Sequence, residues 1–384
     1  MSLIPANQLT ITTAPNVKLH LDRAEMRAAN WMTLEGWVTH VQRGDLTAQS
    51  NWPLVHCCIK ERPDVCAAFA LEPEIAFGFE LHLLTPEANG VTKAEAQVQL
   101  FVGECLDPFA SIEAPVHNTG AAALPFASAK ALALTKSLYR DPITGQGLDA
   151  GGAASVLEGG VVCTTPNPLP FENTRIGNYH PDILDLLNRP GAIGLDIGCG
   201  LRDVVYDNLV TQDIYRSPTA TLITAPGDLK LPFGDQTFDL IVIDSVLEHV
   251  PDPVALLAEG LRLLKPGGQI FGDVPFLQPL HLAPHHYFNF TPYGVKVAAE
   301  KAGLELVYVQ AEAHQRPEFS LEWLLRRTFE TIGAAQTERL KRMTVAELYE
   351  GLVRDKALIP FPAEALTEMA AGYRFHMKRP KGTQ

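Results

Sequence analysis

The chain has 384 residues, 46% of them hydrophobic and 20% charged, with a net charge of −13. That length exceeds one ordinary core and predicts more than one domain, while the acidity, with no basic run, excludes a partner that tracks nucleic-acid phosphates. No apolar stretch is long enough to span a bilayer, and the start, MSLIPANQLTITTAPNVK, lacks the basic region and apolar core of a secretory leader.

Cys57, Cys58, Cys66, Cys105, Cys163 and Cys199 form no C-x-x-C pair. The adjacent Cys57 and Cys58 suit neither a zinc knuckle nor a disulfide framework, so a reduced, cytoplasmic chain is expected. Residues 1–105 read as short β-branched and aromatic runs separated by turn residues: QLTITT, VKLHLD, MTLEGWVTHV, LVHCCIK, FGFELHLL and AQVQLFVGE. That spacing predicts an antiparallel β-sandwich. Trp31, Trp37 and Trp52 are expected to fill its core rather than form an exposed sugar platform.

Residues 106–175 change character. An Ala- and Pro-rich stretch reads as a linker with one short helix, followed by glycine-rich loop and hairpin material. From about 179, helix and strand patterns alternate: YHPDILDLLN as a helix, then AIGLDIG, NLVTQD and FDLIVID as buried strands. Val254, Leu257, Leu261 and Leu264 mark one face of a helix that KPGG ends, and QIFGDVPF is the next strand. Alternation of this kind predicts a mostly parallel sheet with ligands at the strand carboxyl ends. LELVYVQ is expected to continue the sheet, residues 316–370 to form a helical insertion, and GYRFHMKRP to give a last strand.

The segment GLDIGCG places Asp196, Gly198 and Gly200 where a strand meets a tight turn, and glycine there lets backbone approach a ligand. A dinucleotide fingerprint needs a third glycine at 202 or 203. Arg202 and Asp203 stand there and disfavour a nicotinamide oxidoreductase. Asp213 ends the next strand, where a carboxylate can accept both hydroxyls of a ribose. Its rival Asp207 precedes that strand. In GDLKLPF, Asp228 can accept the amino group of an adenine while Leu229 packs on the ring. FDLIVIDSVLEHVPDP then opens into a loop bearing Asp244, Ser245, Glu248 and His249.

In this order, LDIGCG, LPFGDQTFDLIVIDSVLEHVPDP, LLKPGG and KAGLELV resemble class I S-adenosylmethionine-dependent methyltransferases, over about 179–312 and the last strand. The resemblance implies a multidomain chain. An N-terminal antiparallel β-sandwich would precede an α/β Rossmann-like methyltransferase domain, 176–384, carrying the C-terminal helical insertion. It also implies S-adenosyl-L-methionine as cofactor. Asp196, Gly198 and Gly200 would hold its methionine part, Asp213 its ribose, Asp228 and Leu229 its adenine, with Ser245 beside it. Arg202 departs from the glycine that many members carry, and GDLKLPF is one residue shorter than the common spacing.

PFLQPLHLAPHHYFNFTP, residues 275–292, matches the loop after the fifth strand in a bacterial branch often met beside glycan or lipid biosynthesis. In that fold the loop lines the acceptor pocket. LEGWV and RPDVCAAFALEPEIAFGFEL resemble accessory modules of surface-polysaccharide enzymes. A small-molecule acceptor is therefore expected, with His281, His285 and His286 as candidates for taking a hydroxyl's proton. His281 and His285 have i,i+4 spacing, but Pro284 forbids a helix and no carboxylate or cysteine lies in the segment. A metal is accordingly not expected there, and His249 is expected to pack at a helix start. The competing reading is a non-catalytic adenosyl-binding scaffold.

Overall fold

The structure, a computed structural model, describes residues 2–4, 8–28, 31–41, 46–50, 54–84, 96–102, 107–114, 126–148, 154–166, 169, 175–281, 285–355, 358–363 and 365. It divides into two compact units, Met1–Val242 with Leu264–Gln269, and Ile243–Leu263 with Ile270–Gln384.

The first unit opens on nine strands: β1 (Ser2–Leu3), β2 (Thr10–Thr13), β3 (Lys18–Ala28), β4 (Trp31–Thr39), β5 (Leu46–Ser50), β6 (Leu54–Lys60), β7 (Ala76–Leu84), β8 (Ala96–Val102) and β9 (Ala110–Ala114). They form two sheets, in the orders β1-β3-β4-β7-β6 and β2-β9-β8-β5, with antiparallel pairing throughout. Alternate residues of both sheets meet in one core: Met26, Met32, Leu34, Phe77, Phe79 and Leu81 from the first, Val98, Leu100 and Ile112 from the second. The period-two pattern dictates this, because each strand turns only one face inward.

The antiparallel region runs past residue 105 to Ala114. ASIEA is too short to stand out from the Ala-rich stretch around it, yet its burial alternates and it pairs with β2 on one side and β8 on the other. Trp31 is buried, and its indole N–H donates to Nδ1 of the buried His82 at 3.1 Å. Trp37 packs on Phe69 with ring centroids 5.3 Å apart, and Trp52 lies outside the described residues. Helix α1 (Pro63–Phe69) starts on a proline and stops at Ala70, which adopts a left-handed φ of 50°.

The second sheet system has nine more strands: β10 (Ser155–Val156), β11 (Val162–Cys163), β12 (Arg175–Gly177), β13 (Gly194–Ile197), β14 (Leu201–Arg202), β15 (Leu209–Asp213), β16 (Leu222–Ile223), β17 (Phe238–Asp244) and β18 (Leu264–Asp273). Seven make one sheet in the order β10-β11-β16-β15-β13-β17-β18, with β13 central and parallel to β15 and β17. The hairpin β10–β11, expected to stand apart, joins this sheet through parallel pairing of β11 with β16. Strands β12 and β14 pair separately. Helix α2 (Ala129–Leu138) is capped by Ser128, whose hydroxyl accepts from Ala131 N at 3.1 Å. Helix α3 (Pro181–Leu187) buries Ile183, Leu186 and Leu187.

In the other unit, α4 (Pro253–Leu263) packs on α5 (Pro292–Ala302). Thr291 caps α5, Pro292 opens it, and Gly303 closes it at φ 83°. Three helices follow, α6 (Pro317–Thr331), α7 (Ala334–Arg342) and α8 (Val345–Arg354), as the periodicity of 316–370 leads one to expect. Among the described residues LELVYVQ, residues 304–310, joins no ladder, and Val307 is 85% exposed. The expected last strand at GYRFHMKRP lies outside the described residues. Among the described residues no helix is long and apolar enough to cross a membrane.

Candidate functional site

Strand β13 is wholly buried and delivers the chain into a turn whose glycines, Gly198 and Gly200, have φ of 68° and 54°. Only glycine enters that region without steric cost. Asp196, fully buried one residue before the strand ends, faces Arg202, which is also buried. The guanidinium donates from Nε and Nη2 to the two carboxylate oxygens at 2.8 and 2.9 Å, and the Tyr179 hydroxyl adds a third bond at 2.6 Å. Arg202 also lies 4.2 Å over the Tyr179 ring. A buried charge must be paired, so the residue that replaces the family's glycine neutralises Asp196. Burial and the Asp196 charge hold the Tyr179 hydroxyl well above its ordinary pKa.

Asp213 ends β15 with its carboxylate turned to the same turn. It accepts backbone N–H bonds from Gly200 at 2.8 Å, Ile214 at 2.7 Å and Tyr215 at 3.0 Å. Burial pushes its carboxyl up to about 6, against the pull of those bonds. The thiol of Cys199, between the two glycines, is pushed up by the same burial.

This turn fits the adenosyl cofactor at two points. The glycines leave backbone uncovered, and beside its three N–H bonds Asp213 meets only the long, weak contact from the Cys199 thiol at 3.9 Å, which a ribose hydroxyl can replace. Asp196 fits less well as a direct ligand, since Arg202 and Tyr179 already engage both its oxygens. It anchors the turn. Asp228 is exposed and Leu229 half-buried in the turn after β16. Asp207 sits at the surface, bonded to Ser128 and Lys130.

In the second unit, Ser245 follows β17 at a left-handed φ of 54°, exposed, and its N–H donates to Asp273 O at 3.0 Å. Leu247–His249 then forms a short 3-10 turn that buries Glu248. Residues 285–290 return to this turn: Tyr287 N donates to Glu248 O at 2.7 Å. His249 donates Nδ1–H to His285 O at 2.8 Å, and His281 donates Nδ1–H to Pro279 O at 3.0 Å. His286 uses both nitrogens, accepting from His281 N at Nδ1 and donating from Nε2 to Phe288 O. The His285 ring is exposed and meets the Tyr287 ring at 5.8 Å, and its nitrogens carry no hydrogen bond among the described residues.

The structure thus keeps the His281 and His286 rings together, with centroids 4.1 Å apart, turns His285 to the surface, and brings His249 to the pair, 5.1 Å from His281 and 5.7 Å from His286. Burial pushes Glu248 up to about 7 and holds His249 and His281 below their ordinary values. Glu248 and His249 were legible only as part of LEHVPDP. Their meeting with His281 needs the folded loop.

A family profile described as a methyltransferase domain matches residues 186–272. Demethylmenaquinone methyltransferase of Bacillus subtilis (strain 168) is 48% identical over 93 residues, which cover 23% of this chain and 40% of that protein. The Lactiplantibacillus plantarum protein of the same name is 30% identical over 101 residues, 24% of this chain and 41% of its own. The chain therefore spans less than half the length of these relatives. Among solved structures, a SAM-dependent methyltransferase from Aquifex aeolicus is 16% identical, with a TM-score of 0.26 over 34% of this chain and 81% of that one. Residues 186–272, with their glycine turn after β13 and their strand-end aspartate, are matched by a methyltransferase domain.

Proposed function

We propose that the chain transfers a methyl group from S-adenosylmethionine to a small-molecule acceptor. The observation that carries this reading is the turn Gly198–Gly200 bonded through Gly200 N to the Asp213 carboxylate at 2.8 Å. Bound there, the cofactor supplies an electrophilic methyl on a sulfonium. The chain's part is to fix and orient. Gly198 and Gly200 give close backbone approach, Asp213 takes a ribose hydroxyl, and Arg202 with Tyr179 holds Asp196 so that the turn keeps its shape. Alignment of this kind supplies much of the acceleration in a displacement reaction. Asp228 and Leu229 complete the proposed cofactor contacts.

The acceptor is of the glycan- or lipid-precursor class, and the surface of segment 275–290 supports the apolar member. Phe276 is 53% exposed, Leu277 60% and Tyr287 47%. The relatives named for demethylmenaquinone support the same side. His285 is the proton acceptor for a hydroxyl, since its ring nitrogens are uncommitted among the described residues. The two antiparallel sheets form a β-sandwich accessory domain in this reading, and the reaction is cytoplasmic.

Incubation of the full chain with labelled-methyl cofactor and an extract of the source cell tests the proposal. One labelled small molecule is expected, absent with Asp213→Ala. His285→Ala should slow transfer to a hydroxyl by about 100-fold or more while leaving cofactor affinity unchanged. Cofactor binding with no labelled product in any extract would favour the scaffold reading instead.

A further inference from the structure

Two rings in the second unit have their lone pairs placed by their hydrogen bonds. His249 and His281 each donate Nδ1–H to a backbone carbonyl, so in the neutral ring the lone pair sits on Nε2. Among the described residues no hydrogen bond reaches either Nε2, and His249 Nε2 stands 3.8 Å from Glu248 Oε1. Glu248 is 1% exposed, and its Oε2 has no hydrogen-bond partner among the described residues. One ligating atom from each of Glu248, His249 and His281 lies within 4.8 Å of the other two. A carboxylate with one unpartnered, buried oxygen thus converges with two imidazoles whose Nε2 atoms take no hydrogen bond among the described residues, an arrangement that a cation would satisfy.

We infer that Glu248, His249 and His281 form a binding site for one divalent first-row transition-metal ion of the zinc or cobalt type. Two imidazoles and one carboxylate suit such an ion, whereas magnesium and calcium require oxygen ligands. The carbonyls of His285 and Pro279 behind the two rings supply the outer bonds that orient metal-bound histidines. His281 is further held between His286, at 4.1 Å between centroids, and Trp323, at 5.4 Å. His286 spends both nitrogens within the loop and is no ligand. Bonds of about 2.0–2.2 Å set ligand atoms roughly 3.3 Å apart, so the three side chains draw in by about an ångström on binding. Three protein ligands leave a coordination position open to water or an oxygen ligand.

The site stands on residues of one unit and does not rest on the methyl-transfer reading. The test is calorimetric titration of Co²⁺ and Zn²⁺ into the full, chelator-treated chain, with visible absorption followed for Co²⁺. Saturation at one equivalent is expected, with a Co²⁺ spectrum that reports nitrogen ligation. Glu248→Gln, His249→Ala and His281→Ala should each weaken binding by more than about 100-fold, and His180→Ala should not. Circular dichroism and cofactor titration on each variant confirm that it is folded. The inference is overturned if the folded wild type takes up no ion, or if Glu248→Gln and His281→Ala bind as well as it does. Failure here with cofactor binding intact would leave the proposed methyl transfer standing.

Discussion

Arg202 occupies the place of a glycine, and the consequence is local and measurable. Its guanidinium is the counter-ion of a carboxylate that no water reaches. Removing one partner leaves the other charge buried alone, so Arg202→Met should destabilise the fold by about 3–5 kcal/mol. The pair Asp196→Leu, Arg202→Met should recover most of that loss in denaturant unfolding, because no charge then remains.

Asp213 gives a second signature, with two opposed slopes. Its folded pKa of about 6 lies above the ordinary 3.8. Its contribution to stability is therefore complete below about 3.8 and is lost as pH rises through about 6. Wild type should lose stability relative to Asp213→Asn over that window in denaturant titrations. Cofactor affinity should run the other way, strengthening through the same window, since the ionised carboxylate is the better acceptor of ribose hydroxyls. Calorimetry at several pH values checks both the slope and its absence in Asp213→Asn.

At the scale of elements, strand pairing sets what can change. A Cβ on Gly36 would meet His20 O at 2.1 Å, in the backbone of the neighbouring strand β3. Gly36→Ala should therefore part β3 from β4 and lower stability by at least about 2 kcal/mol in thermal melts. The elements most legible in the sequence were those whose signals are local. Strands β13, β15 and β17 show as apolar runs, and α5 shows through Thr291, Pro292 and Gly303. LELVYVQ finds no partner strand among the described residues, because alternation reports which side of a strand is apolar and carries nothing about a hydrogen-bonding neighbour. The place of ASIEA beside β2, and that of the β10–β11 hairpin beside β16, were hidden for the converse reason: those partners lie far along the chain.

For the whole molecule, the same distinction separates the glycine turn of the first unit from the Glu248 cluster of the second. The glycine turn and Asp213 lie within one short stretch, from β13 to the end of β15, so motif and spacing located them. The cluster of Glu248, His249 and His281 joins residues 32 positions apart, read from their numbers, and only the fold brings them within reach. Looking within 275–292 for a carboxylate found none because the carboxylate arrives from the preceding loop. The formal charge of −13 is consistent with a chain that works on small molecules and leaves nucleic acid alone. The central claim is cofactor binding at the turn closed by Asp213, and titration of S-adenosylmethionine into the full chain tests it most directly. Saturable binding is predicted, abolished by Asp213→Ala, with stabilisation of about 2.7 kcal/mol at 100 times the dissociation constant. No heat and no stabilisation at saturating S-adenosylmethionine, with stabilisation by NAD instead, would contradict it.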